Sequence, residues 1–246
     1  MIKNLVVRAF RFVDARMRFY KDRKKYTVEN EDARFKYIMK NENRQYYDRY
    51  ATAGLVDCHY FLQDIYVASK IIKRAPIKHY DVGSRLDGFV SHLLASDINV
   101  FLIDIRPLPF VINNLDFIEG NASDLRVIPD ESIESLSSLH AVEHFGLGRY
   151  GDPVEPMAWK KALLEFIRVL KKDGVLYLSV PIGPTNMVCY NAHRIFEPKT
   201  IVETMEGMSL LEFSYIKDMK LYTDTDYKDY KEEENYLCGI FVFKKG

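Results

Sequence analysis

Two hydrophobic rhythms alternate along the chain, and the switches between them predict most of its elements. The nearly continuous apolar run 98–104 has the composition of a strand buried on both faces, as in a parallel sheet, and 115–119, 132–139 and 175–180 read as further strands. Between them the spacing lengthens to that of a helix. Phe61, Leu62, Ile65, Ala68 and Ile72 share one face of a helix from about 57 to 74, with Asp57 as its N-cap. Trp159, Leu163, Phe166, Ile167 and Leu170 share a face of another from about 155 to 172, which Gly174 is placed to end with a positive φ. Residues 197–208 read as a further helix, 210–216 as a strand and 236–243 as the last strand. Only a polar loop joins those two strands, so they must pair antiparallel, because a parallel pair needs a longer crossover.

The stretch 77–94 organises the rest. A short strand runs into a glycine turn, and the turn opens a helix whose apolar positions Phe89, Val90, Leu93 and Leu94 repeat at helical spacing. Backbone N–H groups at such a helix start have no internal partners and can bind a carboxylate, phosphate or hydroxyl of a ligand. Gly83 and Gly88 occupy the first and third glycine positions of the dinucleotide pattern, but Arg85 stands where a pyrophosphate must approach the backbone. NAD would be crowded there, whereas S-adenosylmethionine has no pyrophosphate and makes looser demands. Asp104, 23 positions after Asp81, ends the next strand. An acid roughly 20 residues beyond the turn is placed to accept hydrogen bonds from the ribose hydroxyls of an adenosine cofactor. A plain strand-to-helix turn, and an Asp that merely begins a loop, are the competing readings.

The loop 140–153 follows the strand 132–139 and carries His140, Glu143, His144 and three glycines; a second polar cluster, Asn191-Ala-His193-Arg194, follows later. Ligand chemistry in open α/β sheets belongs at strand carboxyl ends. A histidine suits the role of general base because its ordinary pKa lies near neutrality. His144 is the first candidate and His140 the second, with Glu143 or Asp152 to orient the ring; a capping histidine in a glycine-rich loop is the alternative. His140, Glu143, His144 and His193 could instead hold a divalent metal that acidifies a hydroxyl, although their spacing is that of no recognised metal motif. Arg149 and Arg194 could pair with a phosphate or carboxylate. The helix 57–74 leads straight into the first strand and can close over the ligand crevice, which offers His59, Tyr60, Gln63 and Asp64 as substrate contacts.

Composition narrows the setting. A chain of 246 residues with 48% hydrophobic content fits one large α/β domain, 75–246, behind an N-terminal helical extension, 1–74. Zero formal net charge gives no general attraction to nucleic acid. Cys58, Cys189 and Cys238 show no Cys-x-x-Cys spacing, so a reducing, cytoplasmic setting is expected. No apolar run approaches the ~18 residues of a membrane span. Residues 1–25 hold nine basic side chains against two acidic ones, with Leu5, Val6, Phe10, Val13 and Met17 between them. This basic amphipathic helix could make weak, salt-dependent contact with the inner face of a membrane, or pack as a solvated face. Residues 26–50 are polar and tyrosine-rich, and 217–235 read as an exposed insertion.

This order of elements resembles the class I S-adenosylmethionine-dependent methyltransferases over roughly 75–246. The most telling stretches are Ser138-Leu-His-Ala-Val-Glu-His144 and Arg168-Val-Leu-Lys-Lys-Asp-Gly174-Val-Leu-Tyr-Leu-Ser-Val-Pro181. Asp81-Val-Gly-Ser-Arg-Leu-Asp-Gly-Phe89, the loop 140–153 and Asn191-Ala-His-Arg194 more closely resemble a bacterial methyltransferase-like family of unassigned function, whose members often occur among surface-polysaccharide genes. The resemblance implies a Rossmann-like doubly wound sheet with an antiparallel closing pair. It places Asp81, Gly83 and Ser84, with Arg85 and Gly88 in the same turn, at the methionine end of S-adenosylmethionine. Asp104 with Ile105 falls at the ribose, Ala122, Ser123 and Asp124 face the adenine, and Leu139 and His140 lie beside the sulfonium. Arg85 and Asp87 depart from the family's glycines. The implied activity is O-methylation of a sugar or sugar-derived acceptor in polysaccharide synthesis, with a cofactor-free scaffold as the alternative.

Overall fold

A computed structural model describes residues 2–48 and 58–246, with side chains from residue 12 onward. The N-cap expected at Asp57, and the side chains of Lys3, Leu5, Val6, Arg8, Phe10 and Arg11, lie outside the described residues. The chain forms two compact units, Met1–Asp57 and Cys58–Gly246. In the first, a long helix α1 (Ile2–Glu29) is followed by two short 3₁₀ turns, Ala33–Phe35 and Met39–Asn41. Glu42 ties this unit together, accepting from Tyr37 Oη at 2.6 Å, Arg44 Nε at 2.6 Å and Arg23 Nη1 at 3.1 Å.

The second unit begins with α2 (Tyr60–Arg74), β1 (Lys78–Val82), a π-helical turn Leu86–Val90 that runs into α3 (Ser91–Leu94), β2 (Asn99–Asp104), β3 (Leu115–Glu119) and β4 (Ile133–Leu139). It continues with α4 (Ala158–Val169), β5 (Leu170–Ile182), a small hairpin β6 (Met187–Cys189) and β7 (His193–Ile195), α5 (Pro198–Thr204), β8 (Met208–Lys217), β9 (Lys220–Tyr222) and β10 (Leu237–Lys245). Eight strands form one sheet in the order β3-β2-β1-β4-β5-β10-β8-β9. The first five are parallel, and β10 runs antiparallel between β5 and β8, the closing pair that the short connection demanded.

Alternation within the strands divides the core into two layers. In β5, Leu176, Leu178 and Val180 face α4 and α5, while Val175 and Tyr177 face α2 and α3; in β10, Phe241 and Phe243 take the first side and Ile240 and Val242 the second. Val67, Ala68 and Ile71 of α2 are buried in the second layer, so the helix assigned from sequence to the N-terminal extension is part of the second unit. The boundary falls between 57 and 58, not between 74 and 75.

Three further expectations are corrected. The fourth helix stops at Val169, and β5 starts at once with Leu170 in an extended conformation. Asp173, not Gly174, has the positive φ, at 60°. Gly174 is needed for closeness: a Cβ there would lie 2.8 Å from the Lys171 carbonyl oxygen and 2.9 Å from that of Ile133. The segment 217–235 is more anchored than an exposed insertion, because β9 extends the sheet and Tyr227 and Tyr230 pack on the core. No helix separates β2 from β3, so the loop containing Pro107 and Pro109 lies along the carboxyl edge of the strands. Among the described residues no helix is long and apolar enough to cross a membrane.

Candidate active site

A cavity of about 600 Å³ opens at the carboxyl ends of β1, β2 and β4, within the ~300–1,000 Å³ usual for small-molecule sites. Its first wall is the turn after β1. Gly83 has φ 71°, and a Cβ on it would meet that of Ala141 at 3.1 Å. A side chain would be strained in that conformation and crowded in that space.

Asp81 is fully buried beneath the turn rather than on the cavity wall. Its Oδ1 accepts from the Ser84 amide at 3.0 Å and its Oδ2 from Ser84 Oγ at 2.7 Å and from Ser137 Oγ. Burial pushes this carboxyl up to about 6, against those donors. The carboxylate thus holds the glycine turn in shape from below. Ser137 also meets His79 Nε2 at 2.8 Å, and Ser135 meets Nδ1 at 2.8 Å, so one hydroxyl serves two buried groups. Burial pushes His79 down to about 3 and keeps its ring neutral at pH 7. Ser137→Ala should therefore destabilise the fold by about 1–3 kcal/mol, the range for leaving a buried polar partner unmatched. Urea unfolding would measure it, and an unchanged midpoint would show that the serine relay does not hold the turn.

Gly88 serves another purpose than ligand contact. A Cβ there would come within 2.2 Å of Asp64 Oδ2, so this glycine admits α2 against the turn and lies off the cavity wall. Tyr60, Gln63 and Asp64 of α2 do reach the cavity, so the helix closes over the strand ends as its position in the chain implied. Arg85 lies on the rim, where it is neutralised by a fork to Asp87 with contacts of 3.1 and 2.9 Å.

The second wall comes from β2 and the turn after β3. Asp104 stands at the end of β2 beside Ile105, both on the cavity. Both its oxygens are engaged by Arg106: Oδ1 accepts from the Arg106 amide and Nε at 2.9 Å each, and Oδ2 from Nη2 at 2.7 Å. In the turn 120–124 the Asn121 side chain accepts from Ser123 N at 3.0 Å and Oγ at 2.9 Å, which presents Ala122 and Ser123 to the cavity. Asp124 points the other way, into an exposed fork with Arg126, so it cannot face an adenine there.

The third wall is the loop after β4. Leu139 lines the cavity, and His140 follows it with φ 49°, in the left-handed region that few residues other than glycine adopt. Its ring is buried. Glu143, also buried, lies 3.0 Å from His140 Nδ1, so that nitrogen carries the proton and Nε2 faces inward without a partner. His144 Nδ1 lies 2.7 Å from the Ala192 carbonyl oxygen, which can only accept; the ring is therefore protonated at Nδ1 and its Nε2 keeps a lone pair. Burial, outweighing the Glu143 charge, pushes the His144 pKa below the ordinary value. A neutral imidazole thus borders the cavity at pH 7, with its Nε2 3.6 Å from Glu143 Oε1.

The orienting groups differ from those expected. Glu143 serves His140, its nearest oxygen being 3.6 Å from His144 Nε2. Asp152 borders the cavity but caps the loop, accepting from the amides of Gly146 at 2.7 Å, Gly148 at 3.3 Å and Tyr150 at 3.2 Å. Arg194 is buried and donates only to the carbonyls of Glu143, Phe145 and Pro156, so it braces the loop and is not available to an acceptor. His193 packs edge-on against Tyr236 at 4.7 Å, away from the cavity wall. His59 lies behind His140, with ring centres 4.7 Å apart, and does not line the cavity either. Arg149 donates to the Ala192 carbonyl at 2.9 Å and covers the ring of Tyr150 at 5.0 Å.

Sequence reasoning missed Arg106 and Tyr150. Arg106 also lies over the Tyr150 ring, 4.8 Å from its centre, so two cations approach one aromatic residue of the cavity wall. An arginine two residues after a ribose-type acid was a visible signal; the Tyr150 contact was not, because it joins positions 44 apart.

Known proteins agree with the fold. A family model described as "Caenorhabditis protein of unknown function, DUF268" matches residues 126–245. No curated protein matches the chain. The solved Burkholderia thailandensis 1,6-didemethyltoxoflavin-N1-methyltransferase, with bound 1,6-didemethyltoxoflavin and S-adenosylhomocysteine, is 14% identical over 79% of this chain and 93% of its own, with a TM-score of 0.52. An S-adenosylmethionine-dependent methyltransferase from Clostridium acetobutylicum is 10% identical over 77% and 93%, at 0.51. The [4+2]-cyclase SpnF is 13% identical over 73% and 80%, at 0.52. The chain has the Rossmann-like fold of the class I S-adenosylmethionine-dependent methyltransferases. At these identities the likeness is one of fold, and the chemistry has to be argued from the site.

Proposed function

We propose that this chain binds S-adenosylmethionine in the cavity and methylates a hydroxyl of a sugar or sugar-derived acceptor in cell-surface polysaccharide synthesis. The observation that carries the reading is His144: a neutral ring held at Nδ1 by the Ala192 carbonyl, on the same cavity as Gly83 and Asp104. Gly83 and Ser84 would hold the methionine end, Asp104 and Ile105 the ribose, and Ala122 and Ser123 the adenine. When bound, the cofactor supplies a methyl group already activated on a sulfonium. What is left to the protein is alignment for in-line attack and removal of the hydroxyl proton. His144 Nε2 takes that proton, and the Ala192 carbonyl steadies the imidazolium through Nδ1–H.

The acceptor class rests on the resemblance of the turn and loop motifs to the polysaccharide-associated family. Arg106, beside Tyr150 on the cavity, favours an acceptor bearing a carboxylate or phosphate. A second reading, a scaffold that binds no cofactor, is favoured by one observation, the Arg106 fork that occupies both Asp104 oxygens. Calorimetric titration with S-adenosylmethionine and S-adenosylhomocysteine separates the two. Heat of binding at one site per chain is expected; no heat at millimolar ligand would put the scaffold reading first.

A further inference from the structure

Behind the cavity wall, three side chains from distant parts of the chain converge. One ring nitrogen each of His59 and His140 and the sulfur of Cys238 all lie within 4.8 Å of one another. They come from the start of α2, the end of β4 and the second residue of β10. His140 and Cys238 are buried, and Nε2 of both histidines is shielded from solvent without a hydrogen-bond partner. Glu143 Oε2 is also buried without a partner. Buried polar atoms are rarely left unmatched, at roughly 1–3 kcal/mol each, so several in one place call for a ligand.

We infer that His59, His140 and Cys238 form a binding site for a single divalent transition metal, zinc by its chemistry. Two imidazoles and a thiolate suit a borderline-soft ion and disfavour magnesium or calcium, which take oxygen ligands. Tetrahedral edges on zinc–nitrogen and zinc–sulfur bonds are about 3.3–3.6 Å, so the three groups need close by only about 1 Å. Glu143 completes the arrangement. It accepts from His140 Nδ1 at 3.0 Å, the hydrogen bond that fixes the tautomer and direction of a metal-binding histidine. On binding, Cys238 gives up its thiol proton to solvent, and its sulfur replaces the weak bond to Gln63 Oε1, now 3.3 Å long, with a bond to the metal. Three protein ligands leave a fourth position, and His140 alone of the three borders the cavity.

This set differs from the one the sequence favoured. Of His140, Glu143, His144 and His193, only His140 is a ligand; His144 is committed to Ala192 and His193 to Tyr236. The inference does not rest on the proposed methyl transfer, and its test uses no cofactor.

The test uses the full chain, stripped with chelator and titrated with cobalt and then zinc. One ion per chain is expected, with a thiolate-to-cobalt charge-transfer band that zinc abolishes. X-ray absorption of the zinc-loaded wild type should show one sulfur among the ligands, a readout that needs no variant to fold. Cys238→Ser should lose the band, and Glu143→Gln, which keeps the shape but not the charge, should weaken zinc binding about 10- to 100-fold. Absence of stoichiometric metal would overturn the site, as would a zinc shell of nitrogen and oxygen only. So would unchanged cobalt spectra in a folded Cys238→Ser variant.

Discussion

His144→Asn slows methyl transfer about 10²- to 10⁴-fold, the usual contribution of a positioned general base, while cofactor affinity stays close to that of the wild type. Asparagine can still donate to the Ala192 carbonyl, so the loop keeps its anchor and only the proton acceptor is lost. The pH profile gives an independent readout. Burial lowers the pKa of His144, so the neutral, proton-accepting form persists below the ordinary histidine value of about 6.5. Activity should be flat through neutrality and fall only as pH drops through that lowered pKa, and the acidic limb should vanish in His144→Asn. A limb centred above the ordinary histidine value would contradict the burial that sets the shift. Full activity of His144→Asn on an identified acceptor would remove His144 as the base. The candidate next in line would be His140, whose inward-facing Nε2 would then have to reach the acceptor. The acid limb also separates a proton acceptor from a residue that merely shapes the loop, because a structural role would lower activity equally at every pH.

The fold was legible because its signals are local and redundant. Apolar runs such as 98–104, the glycine turn at Gly83 and the loop-joined closing strands each restrict the topology, and together they point to a parallel sheet closed by an antiparallel pair. The misread elements share a cause: a local signal was overruled by a contact distant in sequence. Gly174 looked like a helix cap, yet what requires it is the approach of the Ile133 carbonyl from a neighbouring strand. Gly88 looked like a ligand glycine, yet it makes room for Asp64 of the preceding helix. The same limit applies to the side chains around the cavity. Residue type and loop position brought His140, Glu143 and His144 together, but not which partner each would take. Arg194 was chosen as a free cation, and three backbone carbonyls claim it. His59 and Cys238 stand 81 and 98 positions from His140, with nothing between them in the sequence to announce a shared site.

Asp104→Ala should weaken S-adenosylmethionine binding by about 1.5–3 kcal/mol, roughly 10- to 150-fold, because the ribose hydroxyls lose a charged acceptor. Arg106→Ala should act in the opposite direction. The fork on Asp104 must open, or share its oxygens, before a ribose can be bound there. Arg106 is half exposed, so the pair is worth no more than the ~1 kcal/mol of a solvent-screened ion pair, and removing it should tighten binding by at most about fivefold. The combination decides whether the two act on one another. In Asp104→Ala the Arg106 side chain has nothing to compete for, so adding Arg106→Ala should change affinity little, and the double-mutant cycle should return a coupling near the single Arg106 effect. If Asp104→Ala binds as well as the wild type, the acid is not at the ribose and the cofactor lies elsewhere in the cavity. If the wild type binds nothing and Arg106→Ala does, the fork is a lock on a competent site. If neither binds, the cavity belongs to some other ligand, and the fold is being used without its usual cofactor.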